Sequence, residues 1–267
     1  MNSEFKIKQD ICEIGRRMYE KNFVAANDGN ITVKVNDNEF WATPTGVSKG
    51  FMTPDMLIKV NMEGKVLEGT WKPSSELKMH LRVYKERPDV GAVVHAHPPT
   101  ATGFAVAGIP LNKYIMPEAV IFLGSVPIAE YGTPSTDEVP NAISKYLQTH
   151  DAILLQNHGA LTVGQDLFSA YFKMETLEFY ARVSLIARQL GGEKELSPDQ
   201  VEKLMEIRKK FNIPGRHPGY KGCLPEKNTC KSKNEDGTDM EKDINKSEMI
   251  EIITKVTKRL LDQYKVN

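Results

Sequence analysis

Two histidines that stand two residues apart, His95 and His97, form the strongest chemical signal in the sequence. The apolar run from Val90 to Ala96 predicts a buried strand, and alternate side chains of a strand point to one face, so the two imidazoles converge. A third histidine, His158, precedes Gly159 at a predicted strand end, where glycine permits a tight turn that aims the ring inward. Three neutral imidazoles that leave one position open are typical of a catalytic zinc site. The alternative is that each of them is an ordinary packed or surface histidine.

An acidic residue, Glu76, stands at the start of a predicted helix, where the positive end of the helix dipole favours its ionised form. Its spacing leaves two roles open. It is half of an N-terminal cap, or it is a general base that also ligates a metal until substrate displaces it. His80 lies one turn further along the same helix, and we expect it to be a structural histidine that hydrogen bonds satisfy.

Three short motifs offer hydroxyl groups or backbone N–H donors at turns and at a helix start. Together they could hold a phosphate without any lysine, although each one alone is common loop chemistry. The motifs are Gly29 with Asn30, Thr45 with Gly46, and Ser74 with Ser75.

Hydrophobic periodicity predicts the elements that must position these residues. The predicted helices are 4–22, one that begins with Ser74 or Ser75 as its N-cap and ends before Pro88, a short one from Ala101, and 166–191. The predicted strands are 31–35, 40–43, 57–60, a further extended stretch after a turn at Glu63-Gly64, 90–96, 152–155 and 160–163. This order lacks the regular strand–helix alternation of doubly wound folds, so we expect an α/β protein with a mixed or antiparallel sheet covered by helices.

The composition excludes several classes of function. The 267 residues include 35 basic and 35 acidic side chains, and a balanced charge argues against nucleic acid as the main partner. No apolar run approaches the roughly 18 to 20 residues that span a bilayer, and the first residues do not resemble a signal peptide. Three cysteines are too few for a disulfide scaffold. We therefore expect a cytoplasmic protein with no membrane partner.

Taken in order, the motifs resemble those of the class II, zinc-dependent aldolase and adducin family. The resemblance covers about residues 5 to 215. Five motifs carry it: Asp28-Gly29-Asn30-Ile31-Thr32-Val33, Thr43-Pro44-Thr45-Gly46, Pro73-Ser74-Ser75-Glu76, His95-Ala96-His97-Pro98 and Asn157-His158-Gly159. Five ordered motifs are far more specific than any one of them.

The resemblance implies an α/β/α sandwich around a mainly antiparallel sheet, assembled as a homotetramer with active sites between subunits. It implies one zinc ion per subunit, bound by His95, His97, His158 and Glu76, although imidazole also suits other divalent metals. The residues that the resemblance implies for phosphate binding are Gly29, Asn30, Thr45, Gly46, Ser74 and Ser75. A tyrosine from the neighbouring subunit acts as a proton donor in this family, and Tyr114 is our candidate, with Tyr131 as the second choice.

The implied reaction is retro-aldol cleavage of a ketose 1-phosphate, with L-fuculose 1-phosphate first, to dihydroxyacetone phosphate and L-lactaldehyde. Glu76 is implied as the acid/base. Other branches of the family remain open, namely an L-ribulose-5-phosphate 4-epimerase, for which His217 and Tyr220 are candidates, and a methylthioribulose-1-phosphate dehydratase. An adducin-like interaction module is the alternative that is not an enzyme.

The last residues differ from the rest of the chain. We predict a catalytic domain over residues 1–221, a polar flexible linker over 222–243 and an amphipathic helix over 244–267. A short helix behind a polar linker resembles the encapsulation peptides of enzymes packaged in bacterial microcompartments. The helix therefore binds a shell or cargo protein inside such a compartment, or it simply packs on its own tetramer or forms a coiled-coil contact.

Overall fold

The computed structural model describes residues 4–219. The predicted linker 222–243 and the predicted terminal helix 244–267 lie outside the described residues. The helices are α1 Glu4–Glu20, α2 Leu77–Glu86, α3 Pro99–Ala107, α4 Pro117–Phe122, α5 Glu138–Leu147, α6 Leu167–Gln189 and α7 Pro198–Lys210. The strands are β1 Asn30–Asn36, β2 Glu39–Ala42, β3 Ile58–Asn61, β4 Val66–Glu68, β5 Ala92–Ala96, β6 Ile128–Ala129, β7 Ala152–Leu155 and β8 Gly159–Gly164.

All eight strands join one sheet in the order β4-β3-β2-β1-β5-β8-β7-β6. The pairs are antiparallel except β6 with β7, which is parallel. The predicted mainly antiparallel sheet is therefore confirmed. None of the described helices combines the length and the apolar character that a membrane-spanning helix requires.

Helices cover both faces of the sheet, and each face has its own hydrophobic core. Helices α1, α3 and α6 bury side chains such as Ile14, Phe104 and Met174 on one face. Helices α2 and α5 bury side chains such as Leu81 and Ile143 on the other. The central strands lie between two apolar layers, as the predicted α/β/α sandwich requires.

The start of helix α2 differs from the prediction. Its N-cap is Glu76, not Ser74 or Ser75, and no side chain caps the helix. The Ser74 carbonyl accepts a hydrogen bond from the Leu77 amide at 3.1 Å, which closes a turn one residue before the helix begins. The Ser74 hydroxyl accepts a bond from the Glu76 amide at 3.3 Å. Both serines therefore stand in the turn before the helix, and the carbonyl and hydroxyl of Ser74 pair two of its first N–H groups.

Four short or weakly patterned elements were missed by the sequence analysis. Strand β6 has two residues and helix α4 has six, which is too short for a periodic pattern to emerge. Helices α5 and α7 lie on the surface, where only one stripe of each is apolar. Helix α6 was predicted within two residues, because Asp166 and Ser169 form a reciprocal capping box at its start.

Candidate active site

Strand β5, in the interior of the sheet, places the first two histidines at its carboxyl end. All five of its residues are buried between β1 and β8, and His95 lies opposite Asn30 on one side and Leu161 on the other. His97 follows the end of the strand, where its amide donates to the Phe23 carbonyl at 2.8 Å. The two imidazoles share a face because they are two residues apart on an extended chain.

The third histidine comes from the turn between β7 and β8. The His158 amide donates to the Leu155 carbonyl at 3.0 Å, and Asn157 carries the left-handed conformation of this turn with φ +54°. The predicted role of Gly159 in the turn is therefore wrong, since its φ lies outside the left-handed region. Glycine is required there for space. An added Cβ would lie 2.5 Å from the Ala96 oxygen and 2.6 Å from His97 Cδ2.

Three imidazoles and one carboxylate converge at this point. The Nε2 atoms of His95 and His97 are 3.1 Å apart, and one ligand atom from each of the three histidines lies within 4.8 Å of the others. Glu76 places Oε2 at 3.2 Å from His95 Nε2 and Oε1 at 3.0 Å from His158 Nε2. The structure thus brings together all four residues that the sequence predicted as metal ligands.

Neighbouring groups orient the imidazoles. The Ala160 carbonyl lies 2.9 Å from His95 Nδ1, and because a carbonyl only accepts, Nδ1 carries a proton and Nε2 is the nitrogen that faces the cluster. Asp28 Oδ2 lies 3.5 Å from His97 Nδ1 and favours the same tautomer there. The sequence analysis missed Asp28, although it directly precedes the predicted Gly29 turn.

The electrostatics of the cluster favour a cation. Burial would raise the pKa of Glu76, but the charge of His95 and the hydrogen bonds from His158 and His95 outweigh it and hold this pKa well below its usual range. Burial likewise lowers the pKa of His95, yet its pairing with Glu76 raises that pKa above the ordinary value. The pKa of His97 falls to about 4, because burial and the other two imidazoles disfavour its charged form. A neutral imidazole and an ionised carboxylate are the forms that bind metal.

The donor set fits one divalent metal ion. The two carboxylate oxygens of Glu76 lie 3.2 Å from Nε2 of His95 and 3.0 Å from Nε2 of His158, and Nε2 of His97 lies 3.1 Å from Nε2 of His95. Three imidazoles with one carboxylate suit zinc, and a carboxylate that leaves would open a position for substrate.

A polar network lies beneath the cluster on helix α2. His80 is fully buried, and its Nδ1 lies 2.8 Å from the Thr32 hydroxyl, which is in turn 2.9 Å from the Tyr84 hydroxyl. Burial lowers the pKa of His80 to about 3, so the ring is neutral. The structure therefore places His80 in the core and not among the ligands, as expected, but its hydrogen bonds are incomplete because the buried Nε2 has no partner among residues 4–219.

A cavity of about 210 Å³ opens beside the four convergent residues. Five of the six predicted phosphate-binding residues line it: Gly29, Asn30, Thr45, Ser74 and Ser75. The sixth, Gly46, lies in the adjoining turn with φ +74°, a conformation that favours glycine. The Asn30 amide also donates to Glu76 Oε2 at 2.8 Å, which links the cavity to the carboxylate. Lys49, which the sequence analysis did not single out, lines the same cavity.

The two candidate tyrosines do not line this cavity within a single chain. The Tyr114 side chain is buried against Val120 and Val201, and its hydroxyl donates to the Gly219 carbonyl at 3.3 Å. Tyr131 is 55% exposed, and its amide donates to Gln156 Oε1 at 3.0 Å. A contribution from either one requires a neighbouring subunit.

The epimerase candidate His217 has a structural position. Its Nδ1 accepts from the Gly219 amide at 3.0 Å, so its Nε2 carries the proton and donates to the Val120 carbonyl at 2.6 Å. Burial lowers its pKa to about 4. Tyr220 lies outside the described residues. Both ring nitrogens of His217 are thus bonded to the backbone, away from the four convergent residues.

The sequence as a whole was compared with known families and proteins. The family model described as "Class II Aldolase and Adducin N-terminal domain" matches residues 9–185. The chain belongs to the class II aldolase and adducin family. The L-fuculose phosphate aldolase of Methanococcus maripaludis is 34% identical over 181 residues, which cover 68% of this chain and 95% of that protein.

Other members of the class II aldolase family have different names. The 5-deoxy-D-ribulose 1-phosphate aldolase of Bacillus thuringiensis is 31% identical over 79% of this chain and 98% of that protein. The 3-oxo-tetronate 4-phosphate decarboxylase of Haemophilus influenzae is 33% identical over 66% and 85% of the two chains. A solved L-fuculose 1-phosphate aldolase matches with a TM-score of 0.72 and 29% identity, over 80% of this chain and 98% of that one.

Proposed function

We propose that the protein is a metal-dependent aldolase that cleaves a ketose 1-phosphate, with L-fuculose 1-phosphate as the first substrate to test. The products would be dihydroxyacetone phosphate and L-lactaldehyde. The observation that carries this proposal is the convergence of His95, His97, His158 and Glu76 beside a cavity lined by hydroxyl and N–H donors. The names of the relatives support sugar phosphates as the substrate class.

The three histidines and Glu76 would hold zinc, or another divalent ion, one per subunit. Such an ion is a Lewis acid, which polarises a carbonyl group and stabilises negative charge that develops on it. The contribution of the protein is to fix the imidazoles before substrate arrives. The His95 Nδ1–H bond to Ala160 and the Asp28 carboxylate near His97 supply that orientation.

The phosphate end of the substrate would bind in the 210 Å³ cavity, where Thr45, Ser74 and Ser75 present donors. This contact would fix the position of the sugar in the site. The reacting carbon would then be held in place by the binding energy of the phosphate group. A second cavity of about 670 Å³ shares Asp28 and His97 with the first and offers room for the aldehyde half.

Glu76 would transfer the proton at the reacting carbon. When the C3–C4 bond breaks, its electron pair stays on C3 as an enediolate, and the C4 hydroxyl loses its proton as the aldehyde forms. Glu76 would first take up one proton from water and then transfer it to C3, which gives dihydroxyacetone phosphate and returns Glu76 to the carboxylate, while the proton of the C4 hydroxyl is released; in the synthetic direction the carboxylate removes the C3 proton. The Asn30 amide, 2.8 Å from Oε2, fixes the carboxylate for this task.

A tyrosine of a neighbouring subunit would exchange the proton of the aldehyde oxygen, with Tyr114 as the candidate and Tyr131 as the second choice. This role requires a homotetramer with active sites between subunits. Tyr114→Phe and Tyr131→Phe variants separate the two, since only the residue that touches the reacting oxygen lowers kcat for cleavage while the tetramer, measured by light scattering, stays intact.

The product assay tests the proposal. Purified protein is incubated with L-fuculose 1-phosphate, with and without a chelator, and dihydroxyacetone phosphate is measured by coupled oxidation of NADH. We expect release that the chelator abolishes and added zinc restores. The absence of release from L-fuculose, L-rhamnulose and 5-deoxyribulose 1-phosphates by metal-loaded protein would overturn the proposal.

Decarboxylation is the second candidate, because a relative of similar identity is named a 3-oxo-tetronate 4-phosphate decarboxylase. Both reactions break a carbon–carbon bond and leave an electron pair beside a carbonyl, so the same four residues could serve either one. Release of carbon dioxide instead of an aldehyde identifies the decarboxylase. Neither product would form with an epimerase, a dehydratase or an adducin-like module, and the last of these would bind no metal.

For residues 222–267 we propose attachment to a shell or cargo protein of a bacterial microcompartment. The support is the sequence alone, a polar stretch followed by apolar residues at helical spacing. The test compares the full chain with a chain that ends at residue 221. Loss of co-sedimentation with purified shells on truncation is the expected result, and equal co-sedimentation of both chains would rule the proposal out.

A further inference from the structure

A buried lysine, Lys49, forms part of the cavity wall. It is only 1% exposed, and its ammonium group donates to the carbonyl of Asn27 at 2.8 Å and to the carbonyl of Val47 at 2.7 Å. No carboxylate oxygen lies within 4.0 Å of its Nζ among residues 4–219. Fully buried lysines are rare in proteins unless they are paired with an acidic group.

Burial also changes the pKa of the Lys49 ammonium group. Burial lowers the pKa of Lys49 to about 8, although the charge of Asp28 acts in the opposite direction. At neutral pH the group is therefore still mainly protonated. An ammonium group has three N–H donors, and the two carbonyls accept two of them. Lys49 also lines the cavity, and the two carbonyls account for two of its three donors and carry no negative charge.

The other residues of the cavity wall lack a permanent positive charge. The wall includes neutral donors at Thr45, Ser74 and Ser75, beside the start of helix α2. Hydrogen bonds between a cation and an anion are roughly twice as strong as those between neutral groups. A dianionic phosphate in this cavity would supply the counter-charge that Lys49 lacks.

We propose that Lys49 binds the phosphate group of the substrate and supplies the positive charge of that subsite. This inference deepens the proposed function and rests on it for the identity of the phosphorylated sugar. It differs from the sequence-based expectation of a phosphate subsite that needs no lysine. The hydrogen bonds from Lys49 to the carbonyls of Asn27 and Val47 connect the loops that carry Gly29 and Thr45. The ammonium group would therefore be fixed in place before phosphate binds.

The competing role for Lys49 is purely structural, as a clamp between the two loops. Lys49→Gln separates the roles, because a glutamine amide has two N–H donors for the two carbonyls but no charge. Lys49→Met is the second variant, since it keeps the length and apolar stem of the side chain. Lys34→Met is the matched control, because Lys34 also donates to a carbonyl, that of Pro88 at 3.3 Å, and does not line the cavity.

The experiment measures the binding of inorganic phosphate to the metal-loaded full chain by calorimetry, together with kcat and KM for cleavage. For Lys49→Gln or Lys49→Met, whichever retains the wild-type melting temperature within a few degrees, we expect phosphate affinity to fall at least tenfold. We also expect KM to rise by a similar factor while kcat changes less than threefold. Lys34→Met should match the wild type in all three quantities.

Two results would overturn the proposal: phosphate affinity that is unchanged in a folded Lys49 variant, or no phosphate binding by the wild type at millimolar concentration. A folded variant with unchanged affinity and lower kcat would identify the structural clamp. The phosphate measurement involves no turnover. If wild-type protein binds phosphate, the Lys49 variant does not, and no ketose phosphate is cleaved, then the proposed aldolase function fails while the role of Lys49 stands.

Discussion

Replacing Gly159 with alanine tests whether the convergent histidines depend on the close approach of strands β5 and β8. The added methyl group would lie 2.5 Å from the Ala96 carbonyl oxygen and 2.6 Å from His97 Cδ2. Neither atom belongs to a flexible side-chain end, because one is backbone within the sheet and the other is a ring that the cluster orients. The strands or the His97 ring must therefore move.

The expected magnitude follows from the cost of overpacking a buried site, about 1 to 3 kcal/mol. If about 2 kcal/mol of that cost falls on the geometry of the metal ligands, the dissociation constant for zinc rises by about 30-fold. The backbone of residue 159 itself is unstrained, since its φ lies outside the left-handed region. The loss would come from lack of space and not from backbone conformation.

The assays are urea unfolding of the chelated protein and competition for zinc against a chromophoric chelator. Gly103→Ala is the control, because a Cβ at Gly103 in helix α3 meets nothing within 4 Å. That change should stabilise the protein by about 0.5 to 1 kcal/mol, since glycine is unfavourable inside a helix. A Gly159→Ala protein whose unfolding free energy and zinc affinity both match the wild type would refute the reasoning.

Three further predictions concern the surroundings of the site. Asp28→Asn should weaken zinc binding by about 10- to 100-fold in the chelator competition, because the carboxylate near His97 Nδ1 loses its charge; equal affinity would contradict this. His80 has a folded pKa near 3 and an ordinary value of 6.5, so the unfolded chain binds its proton first as pH falls. The contribution of neutral His80 to the unfolding free energy is therefore complete above pH 6.5 and declines by about 1.4 kcal/mol for each pH unit below it. The difference in unfolding free energy between pH 7 and pH 5 should accordingly be smaller in His80→Gln than in the wild type. Asp151→Asn should cost about 3 to 5 kcal/mol of unfolding free energy, because the buried carboxylate pairs with two cations, Arg87 at 2.9 Å and Lys173 at 2.6 Å, and only Arg87 keeps another acidic partner, Asp89; a loss under 1 kcal/mol would contradict this.

The sequence predicted the metal cluster well because its ligands obey local rules. His95 and His97 need only the alternation of an extended chain, and His158 needs only a turn between two strands. Spacing alone placed Glu76 at a helix start without assigning it a role, because the same position suits a cap, and only the family resemblance implied that it is a ligand and the acid/base. Only the sheet order, which sets β5 between β1 and β8, shows that its carboxylate meets His95 and His158.

The residues that the sequence analysis missed are those whose roles depend on long-range packing. Lys49 lies in a short turn with no motif, and nothing local shows that its ammonium group is buried against a cavity. Asp28 has the appearance of an ordinary turn residue until His97 is placed beside it. Gly159 was assigned to turn formation. Its requirement for space cannot be recognised in the sequence, because it arises from the neighbouring strand.

The most direct test of the central claim is hydrogen exchange on dihydroxyacetone phosphate in D₂O, followed by proton NMR. This partial reaction needs no aldehyde, so it reports on the metal cluster and Glu76 whatever the second half of the substrate is. We predict that metal-loaded protein exchanges one hydrogen of the hydroxymethyl carbon, that a chelator stops the exchange, and that Glu76→Gln slows it by about 10²- to 10⁴-fold. No exchange by metal-loaded wild-type protein, or undiminished exchange by Glu76→Gln, would contradict the account.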